Sequence, residues 1–374
     1  MARTDPFLLT PGPLTTAPET KEAMLRDWGS RDAAFIEINA RVRQRLLAIS
    51  GAEDSHVCVP LQGSGTFIVE ATIGTLVPRD GKALVLVNGF YGHRMIKMLQ
   101  IMGRDHGIME TPEDTPPDPA ALDAALADDD AITHVLAVQC ETTSGILNPI
   151  EAIADVVAAR GRRLIIDAMS AFGAIPFDGA AVPFDALMAS SNKCLEGVPG
   201  MGFAIIDRAA LEAAAGNAHS LSLDLHDQWT AMEKNGQWRF TPPTHVIAAF
   251  DKALDRFLAA GGVTGRHDRY AENCRILIDG MAAMGFEPLL PPDLQAPIII
   301  TFHMPAAAAF EFQAFYDALQ ERGYVIYPGK LTVADSFRIG CIGDLDADVM
   351  RGALAAIHNT LDEMGVREGT PAAA

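Results

Sequence analysis

The chain of 374 residues is short of cysteine, of aromatic rings and of positive charge, and these shortages narrow its function. Its five cysteines, Cys58, Cys140, Cys194, Cys274 and Cys341, are scattered and never spaced as C-x-x-C. Neither a disulfide framework nor a thiolate metal site is indicated. Ten histidines are equally dispersed, and H-E-x-x-H does not occur. The glycine fingerprints of nucleotide sites, G-x-G-x-x-G and G-x-x-x-x-G-K-[ST], are missing too. No run of about 18 apolar residues appears. The opening MARTDPFLLTPGPLTT lacks a signal peptide's apolar stretch, so a reducing cytoplasm is the expected home. Lysine and arginine total 29 against 48 aspartates and glutamates, a net charge of −19. Such a surface repels phosphate backbones and anionic lipid, which argues against nucleic-acid and membrane partners. An anionic substrate would need local positive charge in its pocket.

What is present describes a folded protein with a sizeable core: 49% of residues are hydrophobic and 21% charged. The length suits one large domain plus a smaller one. Short apolar runs at 83–88 (ALVLVN), 135–140 (VLAVQC), 164–167 (LIID) and 186–189 (ALMA) read as strands covered on both faces. Helix-like stretches lie between them, as at 148–160, where Ile150, Ile153 and Val157 fall at helical spacing. Alternation of this kind predicts an α/β protein with a mostly parallel sheet. After about residue 250 the register changes: helices are expected at 248–259, 270–284, 310–322 and 349–364, and strands at 297–302, 324–327 and 337–341. That divides the chain into a large domain over 21–247, a small C-terminal α/β domain over 248–365 and a frayed tail over 366–374.

The most informative string is Ser190-Ser191-Asn192-Lys193-Cys194, ending an apolar strand and followed by the glycine-rich 197–202. Open α/β sheets place their ligands at such strand ends, and the glycines allow close approach of a flat ligand. A surface lysine at a loop start explains the string equally well. Asp167 ends the preceding apolar strand, in I-I-D-A-M-S, where a helix-capping aspartate is the plainer explanation. The two together change the weighting. Pyridoxal phosphate chemistry needs an amine to hold its aldehyde and a carboxylate to keep its ring nitrogen protonated. Gln62-Gly63-Ser64-Gly65-Thr66, before a helix-like run, offers backbone N–H groups and hydroxyls to a phosphate. Asn88-Gly89-Phe90-Tyr91-Gly92 offers an aromatic to stack on the ring, and Glu141-Thr142-Thr143-Ser144-Gly145 offers hydroxyls to its edge.

The order G-S-G-T, N-G-x-Y-G, E-T-T-S-G, D-A-M-S, S-N-K, T-P-P-T-H and F-R-I-G resembles the class V aminotransferases of the fold-type-I pyridoxal-phosphate superfamily, over nearly the whole chain. Within that family, S-L-S-L-D-L at 220–225 and V-I-Y-P-G-K at 325–330 resemble the branch acting on 2-aminoethylphosphonate and pyruvate. The resemblance implies an aspartate-aminotransferase-like fold, pyridoxal 5′-phosphate as cofactor, and a homodimer with shared active sites. It implies that residues 1–20 lie near the site. Lys193 would hold the cofactor and shuttle the proton, Asp167 would pair with the ring nitrogen, and Tyr91 would stack. Ser64, Gly65 and Thr66 would bind the phosphate, with Thr142, Met169 and Asn192 also at the cofactor. Thr241 would reach the cofactor phosphate of the neighbouring subunit. Arg338 would clamp the substrate's anionic end, with Arg31, Arg94, Arg239 and Lys330 as further cations that the sequence does not rank. Cys341, in a strand-like run, reads as a buried core residue.

Other readings stay open at this level. The core motifs also suit alanine– or serine–glyoxylate transamination, or a lyase on a related aminophosphonate. A nucleotide-binding oxidoreductase is disfavoured by the missing fingerprint, and a non-catalytic binding protein by the intact Lys193–Asp167 pair.

Overall fold

Apolar runs bounded by turns become the strands of one seven-stranded sheet in this computed structural model, which describes residues 5–331 and 334–371. They are β1 (His56–Gln62), β2 (Lys82–Val87), β3 (Asp105–Glu110), β4 (Ile132–Val138), β5 (Arg163–Asp167), β6 (Ala186–Ser190) and β7 (Met201–Asp207). Their spatial order is β1-β7-β6-β5-β4-β2-β3. Only β7 is reversed, pairing antiparallel with β1 and with β6; the rest of the ladder is parallel. Period-two alternation splits every strand but the edge strand β3 between two cores. Leu164, Ile166, Leu187 and Ala189 face one apolar cluster, while Ile165, Ala186 and Met188 face the other. Helices fill both faces, among them α1 (Ala33–Ser50), α2 (Gly65–Leu76), α3 (Phe90–Met102), α4 (Ile150–Ala159) and α5 (Thr244–Ala259). The α/β expectation therefore holds, and β1, β3 and β7 are strands that the periodicity reading did not assign.

Helix α6 (Gly262–Ala283) leads into a smaller unit, built from α7 (Phe312–Glu321), α8 (Ala347–Met364) and a three-stranded antiparallel sheet. Its strands are β8 (Ile299–His303), β9 (Tyr327–Pro328) and β10 (Ser336–Gly340), in the order β8-β10-β9. Phe302, Phe315 and Phe337 centre its core, and Cys341 is buried there as a core residue. All five thiols are free and buried.

Two details of packing bear on the expected division. Ile247, Phe250, Ala253, Leu254 and Phe257 of α5 pack into the large sheet's core, not the small one. The change of core falls inside α6, whose Val263 touches the first cluster and whose Leu277 belongs to the third. The tail is seated as far as it is described. Val366 is buried, Gly369 N–H donates to Met284 O (2.8 Å), and Ala306 N–H donates to Thr370 O (2.8 Å). Residues 372–374, and residues 1–4 of the N-terminal segment, lie outside the described residues.

The segment near residue 10 joins the two units. Phe7–Leu8 pairs in parallel with Tyr324–Val325 of the small unit. The chain then runs past β10, where Gly340 N–H donates to Leu9 O (2.9 Å), and on to Thr15, whose carbonyl accepts from Asp344 N–H (2.8 Å).

Candidate active site

Because β5 and β6 are parallel neighbours, their C-terminal ends bring Asp167 and the turn bearing Lys193 to one edge of the sheet. Both line a cleft of about 580 Å³. Of the other sequence-derived candidates, Ser64, Gly65, Thr66, Tyr91, Met169 and Asn192 line the same cleft. Gly12 and Pro13 of the N-terminal segment close one side of it.

Lys193 Nζ donates to Pro11 O (3.0 Å) and, at the limit of reach, to Gly12 O (3.5 Å). Burial lowers its pKa to about 8, against the opposing pull of Asp167. Asp167 is pushed the other way: burial raises it to about 6, although Met169 N–H donates to its Oδ1 (2.9 Å) and Arg94 and Lys193 oppose the shift. The two form no ion pair with each other among the described residues. Each is driven toward its neutral form, as befits charges awaiting a partner.

A cradle for an anion stands beside them. Helix α2 begins at Gly65 behind Ser64, which has extended backbone (φ −81°, ψ 172°) and gives no side-chain cap. Phe67 N–H donates to Ser64 O (2.9 Å), which leaves the N–H groups of Gly65 and Thr66 for a ligand, with the positive end of the helix dipole behind them. Arg94 Nη1 donates to Thr66 Oγ1 (2.9 Å), adding a cation to the same rim. A Cβ at Gly65 would lie 2.5 Å from Met169 Sδ and would displace that side chain, while Gly12, at φ +122°, has a backbone that favours glycine and a missing Cβ that would lie 2.5 Å from Lys193 Nζ.

Tyr91, half-buried, opens α3 behind Gly89, which has no side chain to cap the helix. The cap comes from another strand end. Tyr91 N–H donates to Glu141 Oε2 (3.1 Å), Phe90 N–H to Thr143 Oγ1 (2.9 Å), and Thr143 O–H to Glu141 Oε1 (2.6 Å). Burial raises the pKa of Glu141, and the Thr143 and Tyr91 bonds oppose that rise. Sequence reasoning quoted Glu141 without giving it a role. The signal was a carboxylate heading a hydroxyl run opposite a glycine.

Arg338, in the middle of β10, is wholly buried. Its Nε donates to Pro328 O (3.0 Å) and its Nη1 to Thr142 O (2.6 Å), while Nη2 has no partner. No carboxylate pairs with it among the described residues, and burial lowers its pKa. Two more cations face the aromatic pair at the cleft mouth. Arg94 Cζ lies 4.8 Å from the Tyr91 ring centre, and Lys330 Nζ lies 4.5 Å from that of Phe90. Local positive charge thus exists in a strongly acidic protein. The remaining candidates lie elsewhere. Arg239 is spent on Leu221 O (2.8 Å) and Asp227 (2.9 Å), and Arg31 is exposed. Thr241 is exposed and does not line its own chain's cleft.

Comparison with known proteins agrees with this geometry. The family model described as aminotransferase class-V matches residues 20–354. A 2-aminoethylphosphonate–pyruvate transaminase from Pseudomonas putida is 56% identical over 361 residues, 96% of this chain and 98% of its own length. The crystal structure of pyridoxamine–pyruvate aminotransferase from Mesorhizobium loti superposes with a TM-score of 0.89 at 26% identity, covering 99% of this chain and 96% of that one. An aspartate aminotransferase from Thermus thermophilus shares the fold (TM-score 0.85, 24% identity, 96% of this chain and 99% of that one). A fold-type-I architecture, with a lysine and an aspartate at its strand ends and a family match across most of its length, makes this chain a member of the class V aminotransferases.

Proposed function

We propose that the chain is a pyridoxal 5′-phosphate-dependent transaminase that moves the amino group of 2-aminoethylphosphonate to pyruvate, giving phosphonoacetaldehyde and L-alanine. The observation that carries this reading is Arg338: a buried guanidinium with an unused nitrogen and no carboxylate partner among the described residues, behind Tyr91, which lines the cleft of Lys193 and Asp167. Burying such a cation is costly unless an anion visits it. The close relatives named for this aminophosphonate and pyruvate specify which anions.

The residues present fit the cofactor. The uncapped start of α2, with Ser64, Gly65, Thr66 and Arg94, suits its phosphate. Tyr91 offers a ring face, Met169 and Asn192 line the same cleft, and Thr142, outside that lining but hydrogen-bonded to Tyr91, would reach the ring's edge from behind it. No hydrogen bond from the described residues reaches Asp167 Oδ2, which leaves that oxygen for the ring N–H. When bound, the cofactor supplies a carbonyl that takes up amines and a ring that accepts the electron pair freed at the amine carbon.

Lys193 would hold the cofactor through its amine. Its amine, lowered by burial to about 8, would take the proton from the substrate carbon and return it at the cofactor's C4′. Asp167 keeps the ring nitrogen protonated, and a cation placed there returns Asp167 to its charged form. Arg338 binds the phosphonate of the donor and then the carboxylate of pyruvate. Its planar fork accepts either anion, and Arg94 and Lys330 add charge for the dianion. A second copy completes the site: Thr241, exposed on its own chain, reaches the partner's phosphate cradle. The exposed rings of Phe67, Phe90 and Phe240 give that contact an apolar surface.

The test is the visible spectrum of the purified protein. Adding 2-aminoethylphosphonate alone should bleach the bound-cofactor band, and pyruvate should restore it with release of alanine. A band unmoved by this donor but bleached by alanine or serine would mean a different class V activity.

A further inference from the structure

Beyond the cleft lining, one non-glycine residue among those described has a left-handed backbone: Glu196, at φ +57°. A side chain holds that conformation only when its surroundings impose it. Glu196 is buried, and its Oε1 is shared by Arg266, Arg269 and the Tyr270 hydroxyl, the last at 2.7 Å. All three partners belong to α6, the helix along which the two cores meet. The same partners grip the loop that follows β10. Arg269 Nη2 donates to Gly343 O (3.2 Å), and Gly343 N–H donates to the Tyr270 hydroxyl oxygen (3.2 Å).

Two routes lead from this cluster to Lys193. At the root of the lysine, Glu196 N–H donates to Lys193 O (2.8 Å) and Gly197 N–H to Ser191 O (2.7 Å), closing the turn from which the side chain rises. At its tip, the loop held by Arg269 and Tyr270 places the N-terminal segment, since Asp344 N–H donates to Thr15 O and Gly340 N–H to Leu9 O. Between those anchors lie Pro11 and Gly12, whose carbonyls accept from Lys193 Nζ. Root and tip of one side chain are therefore referenced to a single carboxylate.

We infer that Glu196 is a positioning residue for Lys193. Held by Arg266, Arg269 and Tyr270, its carboxylate fixes both the turn that bears the lysine and the carbonyls toward which the amine reaches. It thereby sets the amine's place over the cofactor. The rival role, a brace between the two cores, would cost stability and nothing else. This inference rests on the transaminase reading, and its test separates the two.

Two variants are compared with wild-type holoprotein. Glu196→Gly deletes the carboxylate but eases the backbone, because glycine adopts φ +57° freely. Glu196→Gln keeps length and shape without the charge. Far-UV circular dichroism, thermal midpoint, pH titration of the visible band and steady-state rates with 2-aminoethylphosphonate and pyruvate are measured for each. In Glu196→Gly, kcat should fall on the order of 10–100-fold. Either substrate's KM should stay within about threefold of wild type. The spectral midpoint should move by about half a pH unit or more. Glu196→Gln should shift the midpoint in the same direction by less. Wild-type kcat and midpoint in Glu196→Gly, whatever its melting temperature, would overturn the inference and leave a brace. If the glycine variant does not fold, the glutamine variant decides by the same midpoint: shifted supports positioning, unshifted overturns it. Wild-type protein with no visible band would sink the transaminase reading, and this inference with it.

Discussion

Arg266 and Arg338 are both buried arginines, and their surroundings could hardly differ more. Arg266 shares the Glu196 carboxylate with Arg269, and although burial opposes its charge, Tyr270 and Glu196 hold its pKa above the ordinary value. Among the described residues Arg338 donates only to carbonyl oxygens, lies over the Tyr327 ring (5.1 Å) and keeps one nitrogen unpartnered, and burial drives its pKa down. A charge balanced within the chain belongs to the scaffold. A charge left unbalanced, at the same depth, is kept for a visitor.

Removing each arginine is the most direct way to break that contrast. Arg266→Ala leaves Glu196 buried with the half-exposed Arg269 as its one cation beside the Tyr270 hydroxyl, and should cost about 3–5 kcal/mol of stability in denaturant unfolding. Arg338→Ala should do the reverse. It should lower kcat/KM for both substrates roughly 10²–10³-fold, about 3–4 kcal/mol of transition-state binding. Its unfolding midpoint should stay close to wild type. A melting-temperature loss in Arg338→Ala as large as in Arg266→Ala would erase the distinction.

A smaller effect sharpens it within the cleft. Asp167, raised from 3.8 to about 6, holds its proton more tightly folded than unfolded. Its contribution to stability is complete below about pH 4 and is lost as pH rises through 6. In cofactor-free protein, Asp167→Asn should match wild type near pH 4 and exceed it above pH 6 by about 1–3 kcal/mol. Loading with cofactor should remove that advantage, since the ring N–H supplies the missing partner. Thermal melts at the two pH values, with and without cofactor, check all four cases.

The sequence was most readable where chemistry and periodicity coincide. Asp167 and Lys193 each follow a run of buried apolar residues, so their positions at strand ends could be read from the chain alone. β7 escaped because its glycine-containing start merges with the loop after Lys193, and because reversal of one strand leaves no mark in its own residues. The seam between the cores is hidden in the sequence for a related reason. An amphipathic helix such as α5 shows that it has an apolar face, but not which core covers it. The Glu196 cluster was invisible, since a carboxylate and two guanidinium groups far apart in sequence carry no spacing signal. Even Arg338, singled out early, was only one of several cations. Its lack of a carboxylate is what separates it from Arg239, and that is a fact of three dimensions.

The pairing of Phe7–Leu8 with Tyr324–Val325 has a consequence for how the protein is made. On the ribosome, chain emerges from its N-terminal side, and domains close as their parts become available. Leu8 must wait for Val325, and Thr15 for Asp344, before the carbonyls of Pro11 and Gly12 can be set in place. The large sheet can assemble early, but the cleft is walled off only when nearly the whole chain has been translated. A nascent chain stalled before residue 324 would carry Lys193 with nothing to direct its amine.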